Sequence, residues 1–160
     1  MRTTILTLAL LLVSQFSFAQ NAEALYNSLK DLDGVEAMSI PTFIMKPMMK
    51  KMAKEAKAEG STFKLDKWRM IYAEENIQDF QKALNVELQK LLTNGFQKRV
   101  KALNAKDSAY FYVLGDGKIS TEMVSFAVDA NNAPIVIIFE GKFADDKCLE
   151  LQTPTPPKKK

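Results

Sequence analysis

The sequence predicts an α+β domain: a mainly antiparallel sheet of five or six strands with about three helices packed on one face. Three observations lead there. The clearest apolar stripes at helical spacing fall within the first 94 of 160 residues. From Phe96 onward the apolar period changes from 3.6 to 2, and tight turns separate the alternating runs. Helices early and strands late describe α+β rather than a βαβ-wound sheet.

The elements follow in order. Leu25, Leu29 and Leu32 form one stripe and predict a helix over Ala22–Leu32, stopped by Asp33-Gly34. Val35–Ile40 alternates as a strand, Pro41 breaks it, and Thr42 is placed to cap a helix over Phe43–Glu59. Met45, Met48, Met49 and Met52 line one side of that helix. Lys46, Lys50, Lys51, Lys54 and Lys57 fill most of the rest, and Pro47 is expected near the first turn. Phe63–Ala73 is a strand, with Trp68, Met70 and Tyr72 on one face and Lys67, Arg69 and Ile71 on the other. Asn76 is a cap candidate for a helix carrying Ile77, Phe80, Leu84, Leu88 and Leu91, and Asn94-Gly95 ends it.

Phe96–Leu103 fits either period and is assigned as a strand. Ala109–Leu114 follows as a strand, then a hairpin turn at Gly115-Asp116-Gly117, and then a strand over Ile119–Val128. Ile135–Phe143 is apolar on both faces, which predicts a central strand. Asp145–Leu151 is expected to form a last helical turn. Thr153–Lys160, rich in Pro and Lys, reads as an extended tail.

Domain organisation follows from the ends. Arg2, the apolar run Ile5–Val13 and the small residues Ser17 and Ala19 have the layout of a secretory signal peptide over 1–19, cleaved between Ala19 and Gln20. The expectation is an exported protein, periplasmic or extracellular, with one domain over 20–151 and a tail over 152–160. No cysteine follows the apolar run, so lipid attachment of the bacterial lipoprotein type is not expected. No later stretch of the mature chain is apolar and long enough to span a membrane.

Composition excludes several chemistries. The chain has no histidine and one cysteine, Cys148. Ser-His-Asp and Cys-His triads, histidine metal sites, cysteine zinc fingers and disulfide frameworks are therefore outside its means. No cofactor motif is present. Of the net charge of +3, Arg2 supplies one and Lys158–Lys160 supply three, which leaves a body of side-chain charge −1. Such a body speaks against nucleic-acid binding, which wants a basic face. The lysine tail offers only weak, salt-sensitive attraction to anionic polymers or lipids.

In Gly34-Val35 leading into the Met45, Met48, Met49 helix, in the strand around Trp68–Tyr72, in the Phe80–Leu92 helix and in the segments Ile119–Val124 and Ile135–Gly141, the chain resembles the DUF4252 family of exported bacterial domains of unknown function. The resemblance spans about Leu25 to Leu151 and is one of order and pattern. It implies export and an α+β domain. It supplies no activity and no functional residues. Many members of that family look like lipoproteins, and this chain departs from them in lacking the attachment cysteine.

The candidate sites have competing readings. The Met45, Met48, Met49 and Met52 stripe is soft enough for Cu(I), which would make a metal carrier; the same spacing serves as core filler or as an adaptable partner surface. The closely placed lysines would repel a cation. Cys148 is either buried or a reactive thiol. Glu122 shares a strand face with Val124, Phe126 and Val128, and Glu140 with Val136 and Ile138. In apolar surroundings such carboxyls could do acid/base work in a hydrolase; near strand ends they would pair with Lys or Arg. Asp31-Leu32-Asp33-Gly34 opens like a calcium loop but lacks the later ligands. Tyr110, Tyr112 and Trp68 are expected to crowd one side of the sheet, as core or as a binding surface. The leading expectation is a small non-enzymatic envelope protein that binds a protein partner or self-associates, because an open apolar sheet face would need cover.

Overall fold

The computed structural model describes residues 21–102, 108–128 and 133–144. Helix α1 (Ala22–Lys30) is followed by strand β1 (Val35–Ile40), helix α2 (Thr42–Ala58), strand β2 (Phe63–Ala73) and helix α3 (Ile77–Thr93). Strands β3 (Gln97–Ala102), β4 (Ser108–Gly115), β5 (Ser120–Val128) and β6 (Pro134–Phe143) complete the order. All six strands join one sheet in the order β1-β2-β6-β5-β4-β3. Every neighbouring pair is antiparallel. The fold class is therefore α+β, as the sequence predicts.

The helices are distributed differently from the expectation. Strand β6 alternates Val136 and Ile138 toward one face with Ile137, Phe139 and Phe143 toward the other, and all five are buried. Helices α1 and α3 cover the first face, setting Leu25, Leu29, Phe80, Leu84, Leu88 and Leu91 against Ile71, Val124, Val136 and Ile138. Helix α2 covers the second, setting Met45, Met52 and Ala56 against Phe63, Leu65, Met123, Phe139 and Phe143. A strand apolar on both faces needs cover on both, and one helix crosses over to supply it. Burying each large apolar side chain contributes about 1.5–3 kcal/mol, so neither face is dispensable.

Local signals explain the boundaries, with three departures. Pro41 occupies the cap position of α2, and Thr42 is already helical and makes no cap. Pro47 is consequently the sixth residue of α2, where it has no N–H for the Phe43 carbonyl. Asn76 precedes α3 in the left-handed region (φ 51°) and its side chain makes no cap bond; it reaches Asp33 at 3.5 Å instead. Gly34 is also left-handed (φ 72°), and a Cβ there would lie 2.9 Å from Glu75 Cβ. The Gly34 carbonyl accepts the N–H groups of Glu74 and Glu75 at 2.8 and 3.2 Å, which ties the start of β1 to the end of β2. In the hairpin, Asp116 Oδ1 accepts the Lys118 and Ile119 N–H groups at 2.9 Å each. Those bonds hold its carboxyl below the usual range, with the Ile119 bond the larger cause.

The signal segment 1–19, the helical turn expected over Asp145–Leu151, Cys148 and the terminal tail lie outside the described residues. No helix among the described residues is long and apolar enough to cross a membrane.

Candidate functional site

Glu122 and Glu140 are brought together. They are direct partners in the β5–β6 register and share the face covered by α1. Directly opposed residues carry Cβ atoms about 4.5–5.5 Å apart. The first turn of α1 lies over them. The Ala22 N–H donates to Glu122 Oε2 at 2.7 Å, and Asn21 Oδ1 accepts the Ala24 N–H at 2.8 Å. Two of the otherwise orphaned donors of the helix start are thus satisfied, one of them by a strand 100 residues away in sequence.

Two cations complete the cluster. Glu140 Oε2 lies 3.5 Å from Lys67 Nζ and 3.4 Å from Arg69 Nη2. Glu23, in the first turn of α1, lies 3.6 Å from Lys67 and 3.5 Å from Arg69. Tyr26, one turn further on, sets its ring 4.9 Å from the Arg69 guanidinium. Arg69 is only 7% exposed. Its Nη1 atom is buried with no hydrogen-bond partner among the described residues, and the Glu140 Oε2 contacts are ion-pair distances without hydrogen-bond alignment.

Burial pushes the Glu122 carboxyl above its ordinary value of 4.5. The Ala22 N–H pulls the other way; Glu140 and Glu23 add to the rise, and Lys67 opposes it. A raised folded-state value means that the native protein holds the proton more tightly than the unfolded chain. The associated stability is fully present below pH 4.5 and is lost as pH rises through the folded value. Glu122→Gln keeps an acceptor for Ala22 and removes the charge. Its expected result is an unfolding midpoint at pH 7 equal to or above that of the parent. The fall in stability of the parent as pH rises above 4.5 should be shallower in the variant, read by urea titration at several pH values.

The cluster does one thing clearly: it fastens the start of α1 to strands β2, β5 and β6. The charge of Glu140 is met by two cations, and a Glu122 oxygen is occupied by a backbone donor. The signal in the sequence was Lys67 and Arg69 on the same strand face as Ile71; their partners became visible only with the register.

The remaining candidates separate. Met45 and Met52 are buried under α2, Met49 packs against the same core and Met48 is exposed. The stripe is thus largely core. Tyr110 and Tyr112 gather with Phe126, at ring distances of 5.0 Å and 6.0 Å to it. Trp68 is on the opposite face, 5.5 Å from the Phe139 ring, so the three aromatics do not crowd one side. The odd-even position along paired strands separates them. The Asp31–Gly34 segment forms the turn after α1, with Asp33 bonded to Asn76.

A surface missed by sequence reasoning lies where β1 runs into α2. Met38 is 47% exposed, Phe43 67%, Ile44 63% and Met48 37%, an unusual concentration of large apolar side chains within eleven residues. Phe43 and Ile44 lie off the Met45–Met52 stripe, and that offset was the available signal. Val100 and Tyr110 are exposed at the other end of the sheet, on β3 and β4.

The architecture defines a class: a six-stranded antiparallel sheet covered by two helices on one face and one on the other. Within that class no particular relative emerges. The chain matches no protein-family model, no curated protein and no solved structure.

Proposed function

We propose that the protein is an exported, non-enzymatic interaction module of the cell envelope. It binds a protein partner or another copy of itself through the corner formed by β1 and the first turns of α2. The carrying observation is the exposure of Met38, Phe43, Ile44 and Met48. Both sheet faces have helices of their own, so the contact is assigned not to a naked sheet face but to this corner, where four of the exposed large apolar side chains among the described residues fall within eleven residues.

A photo-crosslinking residue at position 44, introduced into the protein in its producing cells, tests this. One dominant crosslinked species is expected from position 44. None above background is expected from position 86, an exposed valine on α3. Equal labelling from both positions, or none from position 44 with the protein well expressed, would refute the reading.

A further inference from the structure

We infer that the occupant of this corner is a second copy of the chain, paired β1 to β1 in antiparallel fashion about a two-fold axis. The inference rests on the docking reading above and names its partner. Strand β1 is at one end of the sheet, and no described strand pairs with its outer side. Edge strands are ordinarily blunted by charge, lysine above all. The opposite edge strand, β3, follows that rule with Lys98, Arg99 and Lys101 among six residues. Strand β1, Val-Glu-Ala-Met-Ser-Ile, carries a single charge, on Glu36.

The register is constrained by geometry. In an antiparallel pair, directly opposed residues point to the same face. A two-fold axis perpendicular to the sheet keeps each α2 on the same side, so the centre must fall on a residue rather than between two. Centring on Met38 sets it against Met38 of the second copy and sets Glu36 against Ile40. The exposed methionine then gains apolar cover, and no glutamate faces its own copy.

Charge selects the second copy over an unrelated strand. The Val35 end of β1 is acidic: Asp31, Asp33, Glu74 and Glu75 are all exposed there, and the Glu74 and Glu75 N–H groups bond to the Gly34 carbonyl. The Ile40 end leads through Pro41 into α2, which carries five lysines, all exposed, against one glutamate. Antiparallel pairing brings the acidic end of each copy toward the start of α2 of the other, where Lys46 and Lys50 are the first lysines, twice over. An isologous interface requires such a self-complementary patch.

The test uses the protein as its cells process it, followed by sedimentation over a range of concentrations. A dimer is expected. Lys46→Glu with Lys50→Glu, and separately Glu74→Lys with Glu75→Lys, put like charges at both contacts. Each should raise the dimer dissociation constant about tenfold or more. Mixing the two variants restores opposite charges at both contacts, so a heterodimer should form with the affinity of the parent. On a Cys148→Ser background, Met38→Cys should give a disulfide-linked dimer under mild oxidation, and Val100→Cys should not. Circular dichroism of each variant verifies that it is folded.

A parent protein that is monomeric at every concentration, or a dimer indifferent to both charge reversals, would overturn the inference. A monomer that still crosslinks to another protein from position 44 overturns self-pairing alone. A monomer that crosslinks to nothing overturns the docking reading as well.

Discussion

Phe139→Ala is expected to cost about 3–5 kcal/mol, among the largest losses of any single truncation in the chain. Phe139 is fully buried on β6, which is paired on both sides, by β2 and by β5. Its ring belongs to the core under α2 and lies 5.5 Å from Trp68, its cross-strand partner on β2. Truncation removes the transfer energy of the ring and leaves a cavity that two strands and a helix cannot easily close. A folded domain is stabilised by only about 5–15 kcal/mol, so the variant should unfold at markedly lower urea with an unchanged slope. A comparison sharpens the expectation. Val100→Ala, at an exposed position on β3, should change stability by less than about 0.5 kcal/mol. Similar losses at the two positions would mean that the β6 core is not packed as described.

That contrast bears on what a sequence exposes. Phe139 was legible as core because Ile135–Phe143 has no polar face and must be central. Strand β3 was legible more weakly, since Phe96, Val100 and Leu103 also fit helical spacing; its pairing with β4 decides for the strand. The face that each helix covers was not legible. A stripe such as Met45, Met49, Met52 says that α2 has a buried side, not which side of the sheet receives it. The clue lay in β6, whose two apolar faces each demanded a cover. Capping failed at Thr42 and Asn76 for a different reason. A candidate cap side chain shows only that a bond can form, and one residue of shift or a left-handed backbone redirects it. The carboxylate pair was visible as Glu122 and Glu140 separately. That they oppose each other, and that Arg69 and Lys67 reach Glu140, depends on a register between strands far apart in the chain.

Arg69→Met should be the most damaging polar substitution, at about 3 kcal/mol. The Arg69 and Glu140 side chains retain only 9% and 15% of their exposure, so Glu140 would be left with Lys67 as its one cation among the described residues, in a partly desolvated place. Glu23 would lose one of its two contacts, and α1 with it part of its anchorage. The loss should nevertheless not measure the net worth of the ion pair. Arg69 Nη1 is buried without a hydrogen-bond partner among the described residues, and the contact of Arg69 with Glu140 lacks hydrogen-bond alignment, so desolvation is poorly offset. Replacing both partners by apolar groups of similar size removes the cost together with the attraction. Arg69→Met combined with Glu140→Leu is therefore expected to be more stable than either single variant, with a coupling of about 1–3 kcal/mol in a double-mutant cycle. Urea unfolding of the four proteins at one pH supplies the cycle. If the two single losses simply add, Arg69 and Glu140 act independently, and the fastening of α1 must be assigned to the Glu122 bond with Ala22 and to the packing of Leu25 and Leu29.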